Sequence, residues 1–395
     1  MNIAAPSSRR RPDSMRDLDR RTVGHLANGG TTDLADAPLA VPASEYTDPA
    51  RFETECQEIF GKLPLLACFS GDIAEPGDSF TFDAVGPSLL IVRGKDRKAR
   101  AFLNMCTHRA APLVATGQRR KLIVCPFHAW SFDTQGKLVG VPKKECFDDQ
   151  DRAARNLIPV PVGEWGGMIF VKAHPGDEDI DVEAWLGDMG PQLLALDLAK
   201  ARPITFERVD AAANWKYCLD TFGEAYHFKV LHATTIAQMS VPDVALFDAF
   251  GPHHRVCFTN NHYKDCVGQP ETDWPDVPYT GSHLIFPNTI LYPAAHQGGI
   301  GLYRLFPGES VGKCFTYMSV YRASHAPDSI TDQSLIDGHN WNIGIVGGED
   351  YSVSEGGQRN LEHAPKGFKM VFGRNEVALQ NMHRNIDAII GPAEG

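Results

Sequence analysis

The chain has 395 residues, 43% of them hydrophobic and 22% charged, and a formal net charge of -11 at pH 7. That length predicts two or three domains, and its longest apolar runs, such as Leu63 to Phe69, fall far short of the roughly 18 to 20 residues that cross a bilayer. The acidic balance speaks against duplex nucleic acid as a partner, because phosphate backbones are bound by clustered Lys and Arg.

Arg9, Arg10 and Arg11 stand near the start, but Pro12, Asp13, Ser14 and Arg16 follow where an export signal needs an apolar stretch. Residues 1–40, rich in Arg, Asp, Gly and Thr, are expected to form a disordered tail. Nine scattered cysteines, odd in number, predict reduced thiols in a cytoplasmic protein and not a disulfide framework.

From Asp78 to about Lys172, short alternating segments such as SFTFDAV, SLLIVRG, ARAFLNM and GGMIFVKA are separated by Gly, Asp and Pro. This pattern predicts a small antiparallel β-domain. Two loops interrupt it: Cys106 and His108 form a Cys-x-His pair, and Cys125 and His128 form a Cys-x-x-His pair. Zinc fingers typically pair Cys with Cys and His with His. Mixed pairs instead suit a two-iron cluster in which both thiolates hold one iron and both imidazoles the other, the ligand set of a Rieske [2Fe-2S] centre.

Further on, the pattern predicts a helix over 180–198, a strand over 204–209 and a helical stretch from Asn214 to about His232. Several strands follow, and Val346 to Ile390 reads mostly as helix with a break near Pro365 and Gly367. Glu224, His227 and His232 lie in the first helical stretch, and two imidazoles near a carboxylate suggest a non-haem Fe(II) site. On an ideal helix His227 and His232 would point roughly 140° apart, so the helix must distort or end between them to share a metal. His253, His254 and His262 with Cys257 and Cys266 read as solvated or pocket-lining groups rather than a third metal site.

CTHRAAPL and CPFHAWSFDTQGKL resemble the Rieske motif of the non-haem iron ring-hydroxylating oxygenases, and NWKYCLDTFGEAYHFKVLH resembles the same family's iron-binding block. The chain departs from the family pattern at Ala110 and Ala129, where glycine is common, and at Phe127 for tyrosine. The alanines are expected to leave the site undisturbed. The resemblance implies an α+β protein: N-terminal helical segment 41–64 on the catalytic domain, antiparallel β Rieske domain 65–175, and helix-grip (START-like) catalytic domain 176–395 with a central antiparallel sheet.

It further implies that His227 and His232 bind mononuclear iron and that Glu224, supported by Asp220, is a bridge and not a ligand. GGEDYSVSEGGQRNL points to Asp350 as third ligand, with Glu349 its nearest competitor. Family members are ring-shaped trimers in which the cluster of one subunit feeds the iron of its neighbour, here from His128 through Glu224 to His227. A separate reductase, with or without a ferredoxin, would supply NAD(P)H electrons, with O2 as co-substrate. The expected substrate is an aromatic or other ring compound, consistent with a place in aromatic hydrocarbon catabolism. Glu at the bridging position leaves open a monooxygenase or demethylase acting on a quaternary ammonium compound, which Phe222, Tyr226 and Phe228 support if they form an aromatic cage, whereas an apolar wall of the same residues suits a ring. A Rieske electron carrier and a zinc-stabilised binding protein are the alternatives of other classes.

Overall fold

In a computed structural model, the structure describes residues 13–115, 117, 119–147, 153–274, 281–295 and 298–393. The chain divides into two compact units. Glu53–Pro203 with Tyr321–His325 forms one, and the remainder of the described chain forms the other.

The unit beginning at Glu53 is built from the short strands that the alternating pattern predicts. Ser79–Phe82, Leu89–Arg93, Ala99–Leu103 and Pro159–Val160 make a four-stranded antiparallel sheet. Ile123–Val124, Ser131–Phe132 and Leu138–Gly140 make a three-stranded one. Phe102, Leu113, Trp130, Phe132 and Leu138 fill the core between them, together with Cys106 and Cys125. A third sheet joins Leu65–Phe69 to Met168–Val171 and Val162–Trp165.

The other unit is organised by a seven-stranded sheet. Its order is Arg202–Ala211, Cys314–Arg322, Gly299–Pro307, Thr289–Ala295, Gly281–Ile285, His253–Asn260 and Ser240–Phe250. Helices Trp215–Asp220, Asp332–Ile345, Tyr351–Leu361 and Val377–Ile390 complete it. Among the described residues, no helix is long and apolar enough to cross a membrane.

Four expectations need correction. Within the expected tail, Asp13–Ala27 is a helix. Leu18 packs with Leu246 and Cys257, Val23 packs with Tyr263 and Cys266, and Arg21 pairs with Asp248 at 2.7 Å, so a narrow apolar stripe and ion pairs outweigh the polar composition. The segment 41–64 divides between the units at Phe52 and Glu53. The helix from Asn214 ends at Asp220, and 180–198 is several short helical pieces broken by Gly187 and Gly190.

A buried ionic network ties the chain termini of this unit to the helix Trp215–Asp220. Tyr46 donates its hydroxyl to Asp220 Oδ2 at 2.7 Å, and His383 Nε2 lies 3.1 Å from Asp220 Oδ1. Glu45 meets Arg51 at 2.7 Å, His383 at 3.5 Å and Lys216 at 3.8 Å. Burial pulls the His383 imidazole down, but Asp220 and Glu45 outweigh it and hold its pKa up at about 9. Burial also opposes ionisation of Glu45, yet His383 and Lys216 bring its carboxyl down to about 2.

Breaking such a set leaves uncompensated buried carboxylates, so His383→Gln should cost about 3 to 5 kcal/mol in urea denaturation at neutral pH. The imidazolium's contribution is complete below the unfolded value of about 6.5 and is lost as pH rises through about 9. The stability gap between wild type and variant should therefore narrow across that interval.

Candidate functional site

The first constellation sits on the two loops of the Glu53 unit. Cys106 N donates to Ala111 O at 2.9 Å, and Cys125 N donates to Trp130 O at 2.8 Å. Ala110 N donates to Cys106 O at 2.8 Å and Ala129 N to Cys125 O at 3.0 Å, so each loop closes in the same way. Ala110 and Ala129 hold φ of 59° and 57°. The loops keep the left-handed turn that suits glycine, at a strain of roughly 1 kcal/mol per alanine. Side-chain size alone does not reveal this conformational cost.

The turns bring like with like. Cys106 and Cys125 are buried side by side, and burial together with the neighbouring thiol pushes the Cys106 pKa up. His108 and His128 meet at a ring-centroid distance of 4.7 Å, and burial followed by the charge of His128 lowers the His108 pKa. Trp130 stacks on His108 at 4.7 Å with an interplanar angle of 6°, fixing the ring plane. Nδ1 of both histidines is buried without a hydrogen-bond partner. Two thiols on one side and two orphaned imidazole nitrogens on the other fit a two-iron cluster, because thiolate and imidazole electron pairs that find no proton donor are suited to metal.

The second constellation forms after the helix Trp215–Asp220 has ended. Asn214 caps that helix by accepting from Lys216 N at 3.0 Å. The chain then turns rather than continuing helical, and at Gly223 a Cβ would lie 2.5 Å from Leu379 Cδ1. These turns remove the angular conflict: His227 Nε2 and His232 Nε2 lie 3.1 Å apart. Asp350 Oδ1 lies 3.5 Å from the first and 3.2 Å from the second.

Asp350 reaches this position from Val346–Asp350, a π-turn between two helices. One extra residue in a helical turn rotates the following side chains, and such bulges recur at functional sites. His227, His232 and Asp350 can offer ligand atoms all within 4.8 Å of one another. Asp350 Oδ1 is buried without a hydrogen-bond donor. Two imidazoles and one carboxylate on a single face fit Fe(II) with open positions.

The remaining carboxylates sit behind the histidines. Glu224 meets His227 Nδ1, and the His227 amide donates to Glu224 Oε2 at 3.2 Å. Glu349 Oε2 lies 2.6 Å from His232 Nδ1 and accepts from Thr235 Oγ1 at 3.0 Å. Glu349 thus orients a histidine, while its neighbour Asp350 faces the ligand position. Its role escaped the sequence reading, since only the turn separates the two acids. Burial pulls the His227 pKa down, but the facing carboxylates of Asp350 and Glu224 outweigh it and raise it to about 9. Protons therefore compete for the site that a cation would take.

The structure separates the three aromatic residues that flank the histidines. Phe222 is buried and Phe228 packs on Phe258 at 5.2 Å, whereas Tyr226 is 64% exposed. Tyr303 and Tyr292 extend the ring contacts of Phe222: Phe222 to Tyr303 is 6.2 Å and Tyr303 to Tyr292 is 5.3 Å. Asn342 Nδ2 donates to Tyr303 Oη at 3.0 Å. The five-residue His and Cys group forms no metal site. The Phe286 amide donates to His253 Nδ1, His254 Nδ1 meets Asn381, and Cys257 and Cys266 belong to the apolar clusters under the N-terminal helix.

Asp350→Ala should lower iron by about one per chain while leaving acid-labile sulfide unchanged. Glu349→Gln should weaken the affinity of the mononuclear site about 10- to 100-fold, read by chelator competition.

Residues 64–161 match the Rieske [2Fe-2S] domain, and residues 198–391 match the ring hydroxylating alpha subunit (catalytic domain). Over 198 residues, 49% of this chain and 52% of the relative, the sequence is 33% identical to the carnitine monooxygenase oxygenase subunit of Escherichia coli (strain K12). Over 271 residues, 68% of this chain and 60% of the relative, it is 30% identical to the glycine betaine monooxygenase oxygenase subunit of Pseudomonas aeruginosa (strain UCBPP-PA14). The chain thus spans about half the length of the curated relatives it matches. Its fold is similar to that of the quaternary ammonium Rieske monooxygenase CntA in complex with L-carnitine, with a TM-score of 0.74 and 21% identity over 97% of this chain and all of the other.

Proposed function

The chain belongs to the family of Rieske-type ring-hydroxylating oxygenase alpha subunits, and from that premise we propose that it is a terminal oxygenase acting on a quaternary ammonium compound. The observation that carries the reading is the coexistence of two different metal constellations. A carrier needs only Cys106, His108, Cys125 and His128, and leaves the convergence of His227, His232 and Asp350 without a purpose. The overall reaction takes R–H, O2, two electrons and two protons to R–OH and water, with electrons from NAD(P)H through a separate reductase. Between the ring-compound and quaternary-ammonium readings, the similar oxygenase subunits named for carnitine and glycine betaine favour the second.

Cys106 and Cys125 would hold one iron of the cluster and His108 and His128 the other. His227, His232 and Asp350 would hold Fe(II). When bound, the cluster supplies single-electron relay and the mononuclear iron supplies the place where dioxygen is activated. Glu224 and Glu349 would accept the Nδ1 protons of His227 and His232, fixing the tautomer in which both Nε2 atoms face the metal position. Phe222, Tyr303 and Tyr292 form a run of ring contacts, and aromatic rings of this kind attract a methylated ammonium group.

Electrons would pass between copies of the chain, from His128 of one to His227 of the next through Glu224, in a homotrimer. Phe127 beside His128 is 55% exposed, while Tyr226 and Val230 flanking His227 are 64% and 83% exposed, apolar surface that such a contact would cover. Asp220, held by Tyr46 and His383, would position the start of the turn that carries Glu224.

Protein purified without oxygen should carry about three irons and about two sulfides per chain. His227→Ala should keep the cluster's visible spectrum and abolish substrate-dependent oxygen uptake; continued turnover would refute the site. Zinc without sulfide would refute the whole reading. Co-assembly of His227→Ala with His108→Ala chains should restore part of the activity that neither has alone, and its complete absence would count against transfer between copies.

A further inference from the structure

We propose that one water molecule held between Asp220 and Ser282 completes a proton relay running from His383 to the Tyr292 hydroxyl, and so toward Asp350. This rests on the terminal-oxygenase reading above, whose reaction consumes two protons, and concerns the route by which they arrive. A cavity of about 10 Å³, the space of a single water, lies at the end of the helix Trp215–Asp220. The polar side chains among its lining residues are Asp220, Ser282 and His254, and Phe222, Leu284 and Met382 are among the apolar ones. A buried water typically makes about three hydrogen bonds, which is what these side chains can supply.

One wall of the cavity belongs to the central sheet. Val256 opposes Ser282, and His254 opposes Leu284, which opposes Ile290, so these residues share a face. The same register, in which His283 opposes Leu291, sets Ser282 across from Tyr292. Directly opposed residues lie about 5 Å apart at Cβ, and the Ser282 and Tyr292 side chains share a hydrogen bond. Tyr292 in turn lies within the electrostatic reach of Asp350.

A proton donor stands on the other side. His383 Nε2 lies 3.1 Å from both Asp220 Oδ1 and Tyr46 Oη, and Tyr46 donates to Asp220 Oδ2 at 2.7 Å. Glu45 faces the other imidazole nitrogen at 3.5 Å, with Lys216 and Arg51 behind it and Asp387 beyond Arg51. Burial opposes the charge on His383, but Asp220 and Glu45 outweigh it, so the imidazole is protonated at neutral pH. His254 does not capture the proton, because burial and then His253 press its pKa down to about 3. In the relay His383 gives its Nε2 proton to Asp220, Asp220 gives a proton to the water, and the water gives one to Ser282, whose own hydroxyl proton passes to Tyr292. The Tyr292 proton goes to oxygen as that oxygen takes up electrons from the cluster, and solvent restores the proton on His383. Each transfer breaks one N–H or O–H bond and forms one O–H bond, and no electrons move along the relay.

The test joins crystallography to kinetics on the holoenzyme. A high-resolution crystal structure should show one ordered water within hydrogen-bond distance of both Asp220 and Ser282; a dry cavity, or a water reaching only one of them, would overturn the proposal. Ser282→Ala and Tyr292→Phe each remove one hydroxyl, and the second keeps the ring. With glycine betaine and L-carnitine as probes, both variants should retain the cluster's visible spectrum and the wild-type Kd while kcat falls at least about tenfold. The double variant should be no slower than either single one, since both interrupt one path. Undiminished kcat in either single variant, or losses that add in the double one, would overturn the relay and leave the terminal-oxygenase reading standing. Wild type that turns over neither probe would overturn the quaternary-ammonium reading, and the crystallographic result then decides the relay by itself.

Discussion

A buried carboxylate oxygen, Asp350 Oδ1, faces two imidazole nitrogens and has no hydrogen-bond donor of its own. An isolated arrangement of this kind is costly, since a desolvated acceptor without a partner loses the interaction it had with water. Much of the unit is arranged to hold these groups in place nonetheless. Glu224 and Glu349 fix the imidazoles from behind, a π-turn aims the aspartate, and the early end of one helix lets two histidines five residues apart converge. A divalent cation held by His227, His232 and Asp350 would take the electron pairs that the protein leaves unmet.

The same logic appears in the smaller β-unit with different chemistry. Two thiols meet two imidazoles across a pair of closed loops, and the unpaired Nδ1 atoms of His108 and His128 are the counterpart of the unpaired carboxylate oxygen. Here the loops accept left-handed backbone at Ala110 and Ala129 to make the turn. Conformational strain of this size is small beside the loss of a cluster ligand, which explains how alanine can stand where glycine is the more comfortable residue.

Away from the metal positions, the structure uses charge to connect distant parts of the chain. Tyr46, Asp220 and His383 come from the N-terminal segment, the helix before the iron turn and the last helix, with sequence separations of 174 and 163 residues. The cost of burying these groups is offset by their mutual contacts, and the arrangement specifies how the last helix seats. It also pairs Arg51 and Lys216 with Glu45.

The candidate ligands on the β-unit were legible in the sequence because Cys-x-His and Cys-x-x-His are local patterns in loops bounded by readable strands, and local backbone turns decide their geometry. The alternation of apolar residues also determined which segments became strands. For His227 and His232 the sequence stated only a condition, that the helix be interrupted, and tertiary packing at Gly223 met it earlier than expected, at Asp220. Composition misjudged residues 13–27, where a few apolar contacts and ion pairs stabilise a helix that average polarity conceals. Neighbouring acids such as Glu349 and Asp350 cannot be told apart by type or spacing, and Tyr226 cannot be told from Phe222 by proximity to the ligands. Those assignments depend on the direction in which each side chain leaves the backbone and on partners more than a hundred residues away, which only the folded chain decides.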